Sequence, residues 1–191
     1  MRDIIKLGIF LMVVGIISGL CVSYISGLTQ PIIEAQAKAA EQAGLEEVYP
    51  DAEQMEDKSS EYVTDAVDPM IKQVNVAYED GEEVGVIYTV APAGYDGPIT
   101  LMAGFDLEEE SITNIKVLGH SETPGLGDAC TKPEFVEKFQ NKMIAEPLGV
   151  VKQEPAGEYE IVAITASTIT TEAVVDGVNA AREHFIEYFV E

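Results

Sequence analysis

From Leu7 to Ile33 the chain carries no charged side chain, and no other feature restricts its folding as much. Within that stretch LGIFLMVVGIISGLCVSYI, Leu7 to Ile25, is 19 residues of mostly Leu, Ile, Val, Phe and Gly. A helix rises about 1.5 Å per residue, so this run nearly covers a hydrocarbon core of about 30 Å. Arg2 and Lys6 precede it, and the next basic residue is Lys38. That asymmetry predicts a cytoplasmic N-terminus and a remaining chain outside the cell membrane. A cleaved signal peptide would want a shorter apolar region and an A-x-A-like site, which the residues after Ile25 do not offer. A lipoprotein would acylate Cys21, but Leu20 before it is bulkier than such sites carry. The reading is an uncleaved single-pass anchor, residues 1–29, with its span at about 7–27. Gly15 and Gly19 form a G-xxx-G pair, either a helix-packing face or glycines that simply face lipid.

The 191 residues leave room for one ordinary domain beyond the anchor, and 47% apolar residues can fill its core. The net charge is −23, with 11 basic and 34 acidic residues. Such a surface repels phosphate backbones, which excludes nucleic acid as a partner. Only Cys21 and Cys130 are cysteines, and only His120 and His184 are histidines. No disulfide framework, iron–sulfur site or histidine-rich metal site is expected from that set. Cys130 reads as a small buried residue.

Residues 30–70 read as a helical and acidic connector packed on the domain, and residues 71–191 as the domain itself. Thr29 to about Gly44 continues the span into a polar helix, with Pro31 as a bend or helix start and Gly44 or Pro50 as its end. Asp51 to Asp68 reads as a surface loop with a short helix. From Ile71 the pattern alternates. VNVAYE, VGVIYTVAPAGY, ITLMAGFDL and ITNIKVLGH are predicted strands separated by EDGEE, YDGP and EEES turns. They fit an antiparallel meander. Lys132 to Lys142 is predicted as a short amphipathic helix, Tyr159 to Ile164 as a strand, and Thr171 to Phe189 as a long helix. Val174, Val178, Ala181 and Phe185 form that last helix's buried stripe. The fold class is α+β, an antiparallel sheet with flanking helices behind one transmembrane helix.

Two stretches carry chemistry. GHSETPGLGDAC, Gly119 to Cys130, is rich in turn residues, and Gly125 and Gly127 let a ligand approach the backbone. ITASTITTEAVVDG, Ile164 to Gly177, runs from a strand into a helix through Thr165, Ser167, Thr168, Thr170 and Thr171. Thr170 or Thr171 would serve as the helix N-cap. One cap needs one hydroxyl, however, and this turn has five. A turn of small residues at the positive end of a helix points to a phosphate ligand. No Gly-Lys-Ser/Thr P-loop and no G-x-S-x-G elbow accompanies it, which argues against nucleotide hydrolysis and serine-hydrolase chemistry.

HSETPGLG together with TASTITT resembles the FMN-binding domain shared by the G subunit of the Rnf complex and the C subunit of the sodium-pumping NADH:quinone reductase. His120, Glu122, Thr123, Pro124, Gly125, Leu126 and Gly127 match that family's H-x-E-T-P-G-L-G loop. Thr165, Thr168, Thr170 and Thr171 match its flavinylation turn, S/T-G-A-T/S-x-T/S. AGYDGPI, Ala93 to Ile99, is similar to a G-Y-x-G-P-I turn near the flavin, which brings in Tyr95. The chain departs from the pattern at Ala166-Ser167, where the family has Gly-Ala, and at Val162, where it has Asp.

The resemblance implies FMN joined by a phosphoester to Thr168, with Thr165, Ser167, Thr170 and Thr171 around its phosphate. It also implies Leu126 and the backbone of Gly125 and Gly127 against the ring, and Glu122 or Thr123 on its polar edge. No residue is expected to be catalytic and none to bind metal, because the ring performs the redox step. The implied role is an electron relay in a membrane complex moving electrons between ferredoxin and NAD, coupled to Na+ or H+ translocation. Its partners would be the other membrane and iron–sulfur subunits, with a flavin transferase for maturation. Alternatives are the quinone-reductase counterpart, a membrane-anchored binding domain without cofactor, and an extracellular flavoprotein module feeding another acceptor. The chain has no NAD fingerprint and no ionisable group within the uncharged stretch, so alone it should neither oxidise NADH nor pump ions.

Overall fold

The computed structural model describes residues 2–64, 67–153 and 156–190. Residues 42–191 form one compact unit and the chain before them another. The first unit consists of helix, the greater part of α1, Arg2–Val48. An 18-residue window of α1 has mean hydropathy 2.4 and is unburied, so it has the length and composition to cross a membrane. The helix runs through Pro31 rather than starting or breaking there. Within the preceding turn the Thr29 hydroxyl donates to the Ile25 and Ser26 carbonyls at 3.1 and 3.3 Å. Gly44 does not end the helix either; it is buried inside its last turns. Pro50, two residues past the end, marks the stop.

The second unit is built on a six-stranded sheet in the order β1 to β6, each strand antiparallel to its neighbour. The strands are β1 Gln54–Asp57, β2 Ile71–Glu79, β3 Glu82–Val90, β4 Thr100–Asp106, β5 Ser111–Gly119 and β6 Lys142–Met143. Residue alternation sorts their side chains onto two covered faces. Val86, Tyr88, Leu101, Ala103 and Phe105 point into the main core. Ile87 and Met102, between them in sequence, point to the opposite face with Val48 and Tyr49. The Tyr49 hydroxyl ties the end of α1 to two strands, donating to Asp106 Oδ2 at 2.8 Å, and lies 2.9 Å from the Val84 carbonyl.

Helix α4, Thr168–Phe189, covers the main face with the predicted stripe of Val174, Val178, Ala181 and Phe185, all buried. It starts three residues earlier than the pattern indicated, with Ser167 as N-cap in place of Thr170 or Thr171. Thr171 lies inside the helix because its hydroxyl donates back to the Ser167 carbonyl at 3.0 Å, four residues earlier.

Two other expectations need correction, and one pairing of strands was not anticipated. Gln54–Asp57, read as loop, is the edge strand β1. QMED has no apolar alternation, and the pairing comes from the backbone of β2. The predicted helix at 132–142 is instead α3 at Pro133–Val136 followed by a 3-10 turn at Glu137–Phe139, with another 3-10 turn just before it at Gly127–Thr131. Phe135 and Phe139 still meet, ring centroids 5.4 Å apart, but Asn141 takes φ +58° and turns the chain into β6. A left-handed residue cannot continue a right-handed helix. Finally, β7, Gly149–Val151, pairs in parallel with β8, Glu160–Val162, outside the antiparallel sheet. The short helix expected in the acidic segment is α2, Ser59–Tyr62.

Candidate functional site

Three loops converge where α4 begins. The first, Pro92 to Ile99, is pinched by Gly94 N–H donating to the Gly97 carbonyl at 2.8 Å and Ile99 N–H to Pro92 at 2.9 Å. The second is the turn-rich loop after β5, and the third is the turn Ile164 to Ser167, closed by Ser167 N–H on the Ile164 carbonyl at 2.9 Å.

One carboxylate joins the first two loops to the first turn of α4. Glu122, on the second loop, is 5% exposed. Its Oε1 accepts the backbone N–H groups of Tyr95 and Asp96, at 2.8 and 3.2 Å, from the first loop. Its Oε2 accepts the Thr170 hydroxyl at 2.7 Å from the first turn of α4. Burial works to raise the Glu122 pKa, but the bonds from Thr170, Asp96 and Tyr95 outweigh it and hold the group below the ordinary carboxylate value. The carboxylate is therefore ionised at neutral pH. Its neighbours leave it no slack: a Cβ on Gly127 would collide with Oε2, and one on Gly94 would collide with Oε1. Glycine at these two positions is a packing requirement of the carboxylate. His120 supports the same loop, its Nδ1 accepting Glu122 N–H at 3.1 Å.

Beside this junction lies a cleft of about 440 Å³, within the range of about 300–1,000 Å³ common for small-molecule sites. Tyr95, Glu122, Thr123, Leu126, Gly127, Ser167, Thr168 and Thr170 line it, so most of the residues singled out in sequence come together. Ala166 and Ile169 also line it and were missed. Ile169 occupies the variable position between two threonines, and only its apolar character in a polar turn marked it. Tyr95, Leu126 and Ile169 are 69%, 44% and 53% exposed, an unusual amount of uncovered apolar surface in one place.

The threonines divide into separate tasks. Thr168 is the first residue of α4, half-buried on the cleft wall. Thr170 gives its hydroxyl to Glu122, and Thr171, fully buried, gives its own to Ser167 while accepting the Ile164 N–H at 3.0 Å. Both hydroxyls are therefore engaged within the protein. Thr165 and Gly125 are exposed and do not line the cleft. Ser167 makes no side-chain capping bond, so the first amides of α4 keep the unsatisfied character of a helix start. Ala166 takes φ +63°, a backbone conformation that favours glycine. Cys130, fully buried, has its thiol pushed up to about 11 by burial and then by the Glu122 charge, so it is not a reactive thiol.

Comparison with known proteins bears on this cleft. Residues 94–183, which include all three loops bar their outermost residues, match the FMN-binding domain family. The chain is 31% identical over 188 residues to the G subunit of the Na(+)-translocating ferredoxin:NAD(+) oxidoreductase complex of Acetobacterium woodii, covering 93% of this chain and 89% of that one. It is 27% identical over 183 residues to the G subunit of the ion-translocating oxidoreductase complex of Methanosarcina acetivorans, covering 96% and 95%. Among solved structures, the C subunit of the Na(+)-translocating NADH-quinone reductase of Parabacteroides distasonis superposes with a TM-score of 0.54 at 27% identity. The match covers 62% of this chain and 63% of that one.

Proposed function

The chain belongs to the G-subunit family of ion-translocating oxidoreductase complexes, and from that premise we propose that it carries FMN as a phosphoester on Thr168. The observation that supports this most is the position of Thr168. It is the first residue of a helix and lines a cleft whose flanks, Tyr95, Leu126 and Ile169, are exposed and apolar. A flat, amphipathic ring with a phosphate tail suits that lining. Tyr95, Leu126 and Ile169 offer flanks to the ring, Thr123 and Ser167 offer hydroxyls to the ribityl chain, and Thr168 supplies the ester oxygen.

Bound FMN supplies one- and two-electron chemistry through its ring; the protein orients it and keeps its tail in place. Attachment makes a bond from Thr168 Oγ to phosphorus. The phosphoanhydride of an activated flavin nucleotide breaks, a nucleoside monophosphate leaves, and the threonine proton passes to a base on a separate flavin transferase. The Acetobacterium woodii relative is named for ferredoxin and NAD(+). By extension this chain relays electrons between ferredoxin and NAD alongside membrane and iron–sulfur partner subunits, coupled to Na+ or H+ movement. Residues 1–29 anchor it, with the flavin domain, within 71–191, outside the cytoplasm. Arg2 and Lys6 on the near side of the span support that orientation.

Peptide mapping tests the central claim. Protein matured with a transferase should yield one peptide, containing Thr168, heavier by FMN less water. Flavin on Thr165 or Ser167, or no covalent flavin at all, overturns it. Protease added to right-side-out vesicles should digest the flavin domain and spare a tag at the N-terminus; protection of the domain reverses the proposed orientation.

A further inference from the structure

A helix start rich in hydroxyls looks made for a phosphate, yet an anion is already bonded there. Glu122 reaches the first turn of α4 through Thr170, and its buried carboxylate accepts from Thr170, Tyr95 and Asp96, all donors that prefer the charged form. Among the described residues that line the cleft there is no Lys, Arg or His. The whole chain has a net charge of −23. A phosphate monoester near pH 7 carries about −1.5 to −2, whereas the diester made by linkage to a threonine carries one negative charge. The ring and ribityl chain carry none, and the exposed flanks of the cleft suit them.

We infer that the cleft recognises its flavin by the neutral ring and ribityl chain and disfavours the free phosphate dianion. Linkage to Thr168 then does more than tether the cofactor, because it also removes part of the charge that opposes its seating. This rests on the reading that the flavin occupies this cleft. In a cleft lined by the Glu122 carboxylate and by no cation, one further negative charge is expected to weaken binding by about tenfold or more.

The test uses full-length protein in detergent, made without a transferase. Three ligands are titrated at pH 7.5 and one ionic strength, following ring fluorescence: riboflavin, its methyl phosphodiester, and FMN. Riboflavin should bind most tightly, the diester more weakly, and FMN most weakly, about tenfold or more below riboflavin. Glu122→Gln keeps an oxygen for the Tyr95 and Asp96 amides and should narrow the gap between riboflavin and FMN at least threefold. If that variant does not fold, the three-ligand order in the unmodified protein decides alone. FMN binding as tightly as riboflavin, or more tightly, overturns the inference. So does failure of riboflavin to bind protein that a transferase still modifies, because the ring would then be held by its tether only. Failure of both binding and modification removes the underlying reading with it.

Discussion

The two ends of helix α4 are made of different materials. Its first turn is small and hydroxylated: Ser167 caps it, Thr168 borders a cleft, and Thr170 and Thr171 bond to Glu122 and to backbone. Its last turns are aromatic. Phe185 stacks on Phe105 with centroids 5.1 Å apart, and His184 stacks on Tyr188 at 4.3 Å. The His184 Nδ1 lies 3.0 Å from the Tyr88 hydroxyl and its Nε2 lies 3.2 Å from the Tyr62 carbonyl. Both ends are polar in part, yet they treat polarity differently. The first turn borders a cleft through Thr168, Ile169 and Thr170, whereas the last turns bury their single imidazole among rings. The contrast separates a place left open for the proposed ligand from a place that holds the fold.

Substitutions at the two ends should therefore fail in different ways. The largest effect is expected at Thr168: Thr168→Ala should abolish covalent flavin, read as the loss of the mass increment and of in-gel fluorescence, with little change in the unfolding midpoint. Thr168→Ser should keep the flavin, since only a methyl is lost. Equal loss in both variants would show that the site needs more than a hydroxyl.

Phe185→Ala should do the reverse. Phe185 is fully buried, and removing such a ring typically costs about 3–5 kcal/mol through lost burial and the cavity left behind. Urea unfolding should show that loss, while molecules that remain folded still accept flavin on Thr168.

Acid should separate the two ends by pH. His184 lies below its ordinary value of 6.5 through burial, against a smaller opposing pull from Tyr62 and Glu187. The unfolded chain binds this proton first, so the stability contributed is full above 6.5 and declines as pH falls through that value toward the folded one. Glu122 is also depressed, from 4.5; its contribution is present above that value and is lost only as pH falls through its lower folded one. Melting followed from pH 8 to 4 should show the His184 limb first, and His184→Gln should flatten that limb alone.

The smallest effect is expected at Ala166, whose φ of +63° costs an L-residue about 1 kcal/mol or more. Ala166→Gly relieves that strain but frees the unfolded chain. The net gain should be about 0.5 kcal/mol, seen as a slight rise in midpoint with undiminished flavin attachment. A clear loss of stability would show that the Ala166 methyl makes a contact worth more than the strain.

Much of this was legible in advance because the signals are local. The uncharged stretch, the alternating strands around Tyr88 and Met102, the Val174–Phe185 stripe and the two loops each occupy a contiguous run of residues. Hydropathy, period and motif can be read from such runs without knowing what they touch. The β1 strand, the parallel pairing of β7 with β8 and the turn at Asn141 were not, since partner strands or a single backbone angle fix them. The site shows the same division. The sequence by itself determined that a Glu122 loop exists and that a threonine turn leads into a helix, whereas the start of that helix at Thr168 came from the structure. Only the tertiary structure decided that Glu122 bonds to Thr170, 48 residues away, and to the Tyr95 loop. The reason is that a buried carboxylate must find its donors wherever packing brings them, and no local pattern records that distance.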